Sequence, residues 1–172
     1  MTQITPSTSD ELLQVLTNLG IAHLTHEHEA LMTVEQSQAL RGSIPGLHSK
    51  NLFLKNKKGA LWLIVAEEQQ DIQLNPLRKH LKAGNWSFAN ADLLMQHLGV
   101  TPGSVTPFGT INDTDLQVHV ILDETLAKAD KVNFHPLINT RSTTLSGPDL
   151  LRFFDHTGHK PLVLNFDTIN CA

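Results

Sequence analysis

The chain has little cysteine and no long apolar run, and each absence excludes a class of protein. Cys171 is the one cysteine among 172 residues, so no disulfide can form within the chain and a reducing compartment is expected. The longest apolar run, residues 61–66, is far too short to span a bilayer. Residues 1–10 contain neither a basic residue nor an apolar segment, so no signal peptide is expected. These features predict a cytoplasmic protein with no membrane partner.

The composition is that of a folded protein with an acidic balance. Hydrophobic residues make up 40% and charged residues 17% of the chain, and the formal net charge is −4. This balance argues against a general DNA- or RNA-coating protein, which would be basic. About half of the 13 Lys and Arg residues nevertheless lie between positions 50 and 82. Such an asymmetry predicts one basic face on an acidic chain, although a solvated hairpin tip and helix face would look similar.

The order of predicted elements indicates an α+β fold. Thr8 and Glu11 have the spacing of a capping box, Thr33 resembles a second cap, and Asn90 and Gly99 are placed to begin and end a helix at 91–98. Residues 51–66 contain the clearest hairpin, with a turn at 56–59 and a return strand that is apolar on both faces. Helices are predicted at 9–19, 34–40, 75–82, 91–98, 123–127 and 147–154, and further strands at 86–89, 117–122, 131–134, 142–145 and 161–166. We therefore expect one domain over 1–172, with a core at about 8–166 and a curved, mixed, mostly antiparallel sheet flanked by helices.

The first candidate site is the segment HSKN at residues 48–51. Its polar side chains come directly before a predicted buried strand, and a strand end is a rigid mount for functional groups. Lys50 could hold a phosphate as a point charge. A polar strand edge with a solvated lysine is the alternative.

The second candidate is the loop GSVTPFG at residues 103–109, within the Pro- and Gly-rich segment 101–112. Successive backbone N–H groups in such a shaped loop can bind an anion or a developing oxyanion. The loop lacks the lysine of a Walker phosphate-binding loop. A plain connecting loop is an equally good interpretation.

The third candidate is HPLINT at residues 135–140, where His135 follows a predicted strand and Pro136 stiffens the loop. A histidine placed there could orient a substrate or act as an acid or base, although a lone histidine is more often structural. Residues 23–28 are also rich in histidine, but no second cluster with zinc spacing follows them.

Together, in this order, residues 46–55, 103–109 and 135–140 resemble the YbaK/ProX prolyl-tRNA editing family, specifically its free-standing alanyl-tRNA(Pro) deacylase branch. The resemblance extends over about residues 8–166. It implies hydrolysis of the ester in Ala-tRNA(Pro), formed in error by prolyl-tRNA synthetase, with no metal, no cofactor and no covalent nucleophile. The implied partners are the tRNA(Pro) acceptor end and, in some settings, prolyl-tRNA synthetase, but not DNA.

The resemblance also implies roles for individual residues. The backbone of the Gly-x-x-x-Pro loop would hold the ester carbonyl, Lys50 would contact the terminal adenosine, and His135 would line the amino-acid pocket. The residues implied at the reacting end are Lys50, Gly103, Ser104 and His135. Those implied to contact the substrate are His48, Asn51, Val105, Thr106, Pro107, Asn139 and Thr140. Charge placement adds Lys55, Lys57, Lys58, Arg78 and Lys82 as expected tRNA contacts.

Three alternatives remain open at the level of the sequence. The same fold could deacylate tRNA carrying another small residue, such as Cys or Ser. It could be a non-catalytic module that binds aminoacyl-tRNA or a synthetase. Ser49 or Ser104 with His135 could form an esterase, but no orienting acid is evident and the chain has no Gly-x-Ser-x-Gly elbow. Cys171 is a poor nucleophile candidate because chain ends fray.

Overall fold

The computed structural model describes residues 5–30 and 34–171. These residues form α-helices on both faces of one sheet. The helices are α1 (Ser9–Asn18), α2 (Val34–Ser43), α3 (Leu74–His80), α4 (Ala91–Leu98), α5 (Glu124–Lys128), α6 (Gly147–Thr157) and α7 (Phe166–Asn170). The strands are β1 (Leu24–Glu27), β2 (Leu47–Asn56), β3 (Leu61–Glu67), β4 (Trp86–Phe88), β5 (Val118–Asp123), β6 (Val132–Phe134), β7 (Arg141–Leu145) and β8 (Leu162–Leu164).

The strands are ordered β1-β7-β6-β2-β3-β5-β8, and β4 pairs with β2 beside this path. Four pairings are antiparallel, namely β1–β7, β2–β3, β2–β4 and β6–β7. The β2–β6, β3–β5 and β5–β8 pairings are parallel. The predicted α+β class with a mixed, mostly antiparallel sheet is therefore confirmed.

The central hairpin is confirmed, but its first strand begins earlier than predicted. β2 starts at Leu47, so residues 48–51 lie within the strand and not before it. Gly46 makes this possible because it has φ +105° and sits where a Cβ would lie 2.7 Å from the Cβ of Lys131. The close approach lets the Leu47 N–H donate to the Lys131 carbonyl at 2.9 Å. The polar segment is consequently held on the sheet by pairing with β6.

β3 separates two hydrophobic cores, as expected of a central strand that is apolar on both faces. Leu61, Leu63 and Val65 face a core that includes residues of α1, α4 and α6. Ile64 and Ala66 face a second core that includes residues of α3 and α7. The predicted division of the strand into two apolar faces is confirmed.

Local capping signals were reliable guides to helix ends. Thr8 and Glu11 form the predicted capping box, and Asn90 and Gly99 bound α4 as predicted, with Gly99 at φ +66°. The predicted cap at Thr33 lies outside the described residues. β1 and α7 were not predicted, and the Pro- and Gly-rich loop at 101–112 contains two short 3₁₀ helices. Proline begins each of them, Pro102–Ser104 and Pro107–Asn112.

The start of β5 is fixed by the buried carboxylate of Asp113. The Asp113 carboxylate accepts hydrogen bonds from the backbone N–H groups of Gln117 and Val118 and lies 2.8 Å from His159 Nε2. Burial raises the pKa of the Asp113 carboxyl, but these hydrogen bonds outweigh burial and hold the pKa below its ordinary value. His159, which is itself buried just after α6, therefore has a structural role. Within the described residues, no helix combines the length and apolar character needed to cross a membrane.

Candidate active site

A small cavity lies beside the β2–β6 pairing, next to the paired residues His48 and Asn133. Its volume is about 70 Å³, and it is open to solvent on one side. The lining residues come from α2, β2, β6 and β7 and from the residue that follows β6. They are Leu40, His48, Ser49, Asn51, Asn133, Phe134, His135 and Ser142. The sequence-predicted segments around residues 48–51 and 135 therefore meet at one cavity.

Asn51 carries the most informative polar atom of the cavity. Its Nδ2 donates to Ser49 Oγ at 3.2 Å, and Ser49 Oγ donates to the Asn133 carbonyl at 3.3 Å. Asn51 Oδ1 is buried and has no hydrogen-bond partner among the described residues. A buried, unsatisfied acceptor costs about 1–3 kcal/mol, so its retention at a cavity is typical of a ligand-binding group.

Asn133 fixes the floor of the site. Its Nδ2 donates to the Pro45 and Leu47 carbonyls at 3.0 and 3.1 Å, and its Oδ1 accepts the hydroxyl proton of Thr144. The side chain thus joins β6 and β7 to the turn that begins β2. Sequence reasoning missed Asn133 because its role depends on the parallel β2–β6 pairing, which no local pattern reveals.

His135 is oriented by a backbone carbonyl. Its Nδ1 lies 2.9 Å from the Arg141 carbonyl oxygen. Because a carbonyl can only accept, Nδ1 carries the hydrogen, and in the neutral ring Nε2 is the acceptor. The Arg141 guanidinium in turn binds Asp10 at 2.7 Å and Glu27 at 3.1 Å, which ties this turn to α1 and β1.

A second histidine stands beside the first. His28 and His135 have ring centroids 6.3 Å apart, and His28 Nε2 lies 2.9 Å from Ser142 Oγ. The His28 N–H donates to the Thr140 carbonyl, which extends the pairing of β1 with β7. Sequence reasoning did not find His28 as a neighbour of the site because β1 was not recognised as a strand. The histidine-rich segment thus forms an edge strand.

The 103–107 loop contacts Asn139, and neither this loop nor Asn139 is among the residues that line the cavity. A Cβ at Gly103 would lie 3.3 Å from Asn139 Nδ2, and Gly103 is exposed. Ser104 is buried, and its N–H donates to the Thr101 carbonyl at 2.9 Å. Of the other predicted contacts in this loop, Val105 is half-buried, and Thr106 and Pro107 are buried. In this structure the Ser104 N–H is thus already bound within its own loop, whereas the predicted oxyanion role of the loop backbone stays a prediction.

Lys50 lies on the other face of β2 from the cavity. Side chains alternate along a strand, and Lys50 is paired with Ala66, which belongs to the second core. Ser49 and Asn51 instead line the cavity. Lys50 is half-exposed at this position. The four polar residues of the HSKN segment are consequently divided between two faces, which their adjacency in sequence does not show.

The remaining predicted contacts lie outside the cavity. Thr140 has an exposed side chain. Lys57 and Lys58 are exposed in the β2–β3 turn, and Lys82 is exposed just after α3. Asn56 Nδ2 donates to the Ala83 carbonyl at 3.0 Å and so joins the turn to the end of α3. Lys55 is half-buried on β2, and Arg78 Nε donates to Asn75 Oδ1 at 3.0 Å. At about 3.4 Å per residue, the turn lies about 20 Å from Asn51 along β2.

This arrangement suits the binding of a small polar group more than nucleophilic attack by a side chain. Ser49 is a poor nucleophile because its hydroxyl donates to a carbonyl and not to a base. Ser104 is 3% exposed, which keeps its side chain from solvent. Asn51 Oδ1 presents an acceptor at the cavity, and an acceptor of this kind can hold an ammonium group or orient a water molecule.

Comparison with known proteins assigns the chain to a family. The model of the aminoacyl-tRNA editing domain family matches residues 28–153, a range that includes His28, the cavity and the 103–107 loop. Prolyl-tRNA synthetase associated domain-containing protein 1 of Bos taurus is 38% identical over 161 residues, which cover 91% of this chain and 94% of that protein. Prolyl-tRNA editing protein ProX of Acetoanaerobium sticklandii is 33% identical over 145 residues, which cover 84% and 88%.

Solved structures show the same fold at lower sequence identity. A structure described as a candidate trans-editing enzyme for prolyl tRNA synthetase superposes with a TM-score of 0.68 at 20% identity, covering 94% of this chain and 99% of that one. The hypothetical protein APE2540 superposes with a TM-score of 0.69 at 16% identity, covering 90% and 97%. The family predicted from residues 46–55, 103–109 and 135–140 is thereby confirmed. The chain belongs to the aminoacyl-tRNA editing domain family, in its YbaK/ProX group of prolyl-tRNA editing proteins.

Proposed function

We propose that this editing domain hydrolyses the ester of tRNA(Pro) that carries alanine by mistake. The observation that carries the proposal is the cavity of about 70 Å³, on whose wall the buried Asn51 Oδ1 has no partner among the described residues. An α-ammonium group would supply the missing donor. The volume suits a small aminoacyl group and disfavours a proline ring, so correctly charged tRNA(Pro) would be spared by steric exclusion.

Exclusion by size explains why a separate enzyme is useful. A synthetase pocket built for proline admits alanine, since a smaller side chain fits a larger pocket. The loss of one methylene discriminates by only about 1–3 kcal/mol, which is too little for faithful translation. A second pocket that admits alanine and rejects proline gives the opposite selection.

The reaction would use water as the nucleophile. The water oxygen attacks the ester carbonyl, the bond between the carbonyl carbon and the ribose oxygen breaks, and the ribose oxygen takes a proton. In this proposal Asn51 Oδ1 holds the ammonium group, and His135, which lines the cavity, helps to position the attacking water. The Gly103 N–H, beside Asn139, is the proposed oxyanion donor in place of the Ser104 N–H.

The RNA would be held outside the cavity by cations. Lys50 would contact the end of the tRNA from the other face of β2, and the lysines of the β2–β3 turn would meet phosphates farther along. The names of the relatives link them to prolyl-tRNA synthetase, so we also propose that this enzyme supplies the mischarged tRNA. We further propose that the protein acts in the cytoplasm and that residues 1–172 form one domain.

Two other functions make different predictions. A deacylase for Ser- or Cys-tRNA(Pro) would use the same cavity, because both side chains exceed a methyl group by only one heavy atom. A non-catalytic module would bind aminoacyl-tRNA tightly without turnover. The Asn51 acceptor is common to all three functions, so kinetics with chosen substrates must separate them.

The test compares Ala-tRNA(Pro) with a free and with an N-acetylated amino group, each corrected for uncatalysed hydrolysis. A hydrogen bond to a charged group contributes about 1.5–3 kcal/mol, so N-acetylation should lower the enzymatic rate by about 10- to 150-fold. Equal rates for the two substrates would refute the ammonium-binding cavity. A folded protein that binds Ala-tRNA(Pro) without hydrolysing it would refute the deacylase itself.

A further inference from the structure

β4 presents an exposed aromatic side chain beside the proposed RNA path. Phe88 is 63% exposed although it pairs with the fully buried Leu54. Its neighbour on the same face, Trp86, packs against the second core and lies 5.4 Å from Trp62 between ring centroids. Phe88 is therefore held on a rigid sheet but gains little from packing, which favours a role at the surface.

The edge of β2 is open between its two partners on that side. β6 pairs with Leu47 and His48, and β4 pairs with residues 54–56, so in the described part of the chain residues 49–53 have no strand partner on this edge. The Leu47 N–H and the Phe53 carbonyl both make backbone hydrogen bonds at this edge. Because backbone groups alternate sides along a strand, those of Asn51 are directed toward the gap.

The gap joins the two faces of the sheet. Asn51 lines the cavity on one face, whereas Lys50 and Phe88 lie on the other. A substrate that crosses the edge at the gap can therefore contact Asn51 and Lys50 at once, although their side chains point in opposite directions. Adjacent residues of one strand would otherwise not share a ligand.

We propose that Phe88 stacks against a base of the unpaired RNA 3′ end whose aminoacyl group enters the cavity through this gap. The inference rests on the proposed function, and it adds a positioning residue to it. The terminal ribose would lie near Lys50, an upstream base on the Phe88 ring, and phosphates near Lys57 and Lys58 of the β2–β3 turn. Aromatic rings alternating with lysines form a common surface for single-stranded nucleic acid.

The spacing along β2 agrees with this path. Leu54, the partner of Phe88, is three residues from Asn51, a separation of about 10 Å. That distance corresponds to about three stacked nucleotides at about 3.4 Å each. The unpaired 3′ end of a tRNA has this length scale, whereas a duplex is too wide for the gap and has no bases available for stacking.

The experiment measures Phe88→Ala, Phe88→Trp and the matched control Leu24→Ala, which removes a side chain of similar exposure (62%) from the edge strand β1. The substrates are Ala-tRNA(Pro) and the alanyl ester of adenosine, which lacks upstream nucleotides. Loss of one stacked base should raise the KM for Ala-tRNA(Pro) by about 5- to 150-fold. The kcat/KM for alanyl-adenosine should not change, and Phe88→Trp and Leu24→Ala should behave as the wild type.

A binding measurement separates this inference from the proposed function. Fluorescence anisotropy with a short single-stranded RNA ending in CCA needs no hydrolysis, and Phe88→Ala should weaken that binding by the same factor. If the wild type fails to deacylate but binds this RNA through Phe88, the reaction is refuted and the stacking site stands. Equal losses by Phe88→Ala on both ester substrates, or no loss on either, would overturn the stacking role.

Discussion

Substitution of Asn51 by leucine should separate activity from stability. Leucine has nearly the same shape as asparagine but carries no polar atom. In the wild type, Oδ1 of Asn51 is buried and has no partner in the part of the chain that the structure describes, and Nδ2 donates to Ser49 Oγ at 3.2 Å. The substitution therefore removes one unsatisfied acceptor and one ordinary hydrogen bond.

The effect on folding follows from these two changes. Removal of a buried, unsatisfied acceptor recovers about 1–3 kcal/mol, and loss of the hydrogen bond to Ser49 costs about 0.5–1.5 kcal/mol. The free energy of unfolding of Asn51→Leu should thus lie between about 0.5 kcal/mol below and 2.5 kcal/mol above the wild-type value. Most polar-to-apolar changes at an ordinary hydrogen-bonded position destabilise instead.

Activity should fall while stability is kept. The missing acceptor would no longer hold the substrate ammonium, a charged hydrogen bond of about 1.5–3 kcal/mol, so kcat/KM should drop by about 10- to 150-fold. Loss of function with retained or increased stability is the usual signature of a group kept for binding. The N-acetylated substrate should lose much less, because its amino group cannot make this bond.

Asn56 on the same strand provides the matched control. Its Oδ1 accepts from the backbone N–H groups of Lys58 and Ala60, and its Nδ2 donates to the Ala83 carbonyl, each at 3.0 Å. Asn56→Leu should lower the free energy of unfolding by about 1–3 kcal/mol and leave kcat/KM for alanyl-adenosine unchanged. Urea unfolding and steady-state deacylation measure both quantities. The reasoning is wrong if Asn51→Leu destabilises as much as Asn56→Leu and stays fully active.

Three further predictions concern the loop, the scaffold and the basic turn. Gly103→Ala places a Cβ 3.3 Å from Asn139 Nδ2. The kcat should therefore fall several-fold, which is less than the ~100-fold that a 1 Å displacement can cause, and the free energy of unfolding should not change. Full activity of this variant would argue against a role for the contact. Asp113→Asn should lower the free energy of unfolding by about 1.5–3 kcal/mol at pH 7, because an amide nitrogen would replace one of the two accepting oxygens. Because the pKa of Asp113 in the folded protein lies below its ordinary value, the wild type should become less stable as the pH drops below about 4. The Asp113→Asn variant should lack this part of the pH dependence of stability. The same pH dependence in both proteins would contradict the role given to Asp113. The double variant Lys57→Ala/Lys58→Ala should bind tRNA with a weaker salt dependence. The slope of the log of the binding constant against the log of the salt concentration should fall by about 0.7 for each lost phosphate contact. An unchanged slope would show that the RNA binds elsewhere.

Local chemistry made much of the fold predictable from the sequence. The capping box at Thr8 and Glu11, the cap at Asn90 and the 56–59 turn act over a few residues, and each forms as predicted. The two apolar faces of β3 also follow from simple alternation. β1 was missed because it is short and polar and exists only through pairing with β7. α7 follows β8 directly, and its cap at Asn165 lay inside the stretch interpreted as a strand.

The candidate site was only partly predictable, because its geometry depends on distant pairings. Segments 48–51 and 135–140 were identified, but Asn133, Ser142 and His28 join them only through the β2–β6 and β1–β7 pairings. Strand alternation then divides Lys50 from Asn51. The backbone of the 103–107 loop was expected to hold the ester carbonyl, but the sequence did not show that the Ser104 N–H bonds to the Thr101 carbonyl. Sequence patterns thus identified the segments, whereas backbone pairing determines which atoms remain available.

The most direct test of the central claim is a deacylation panel with Ala-, Ser-, Cys- and Pro-tRNA(Pro) and the wild-type protein. A cavity of about 70 Å³ predicts the highest kcat/KM for Ala-tRNA(Pro), lower values for the slightly larger Ser and Cys esters, and no hydrolysis of Pro-tRNA(Pro). Hydrolysis of Pro-tRNA(Pro) at a rate comparable with that of Ala-tRNA(Pro) would contradict selection by the small cavity.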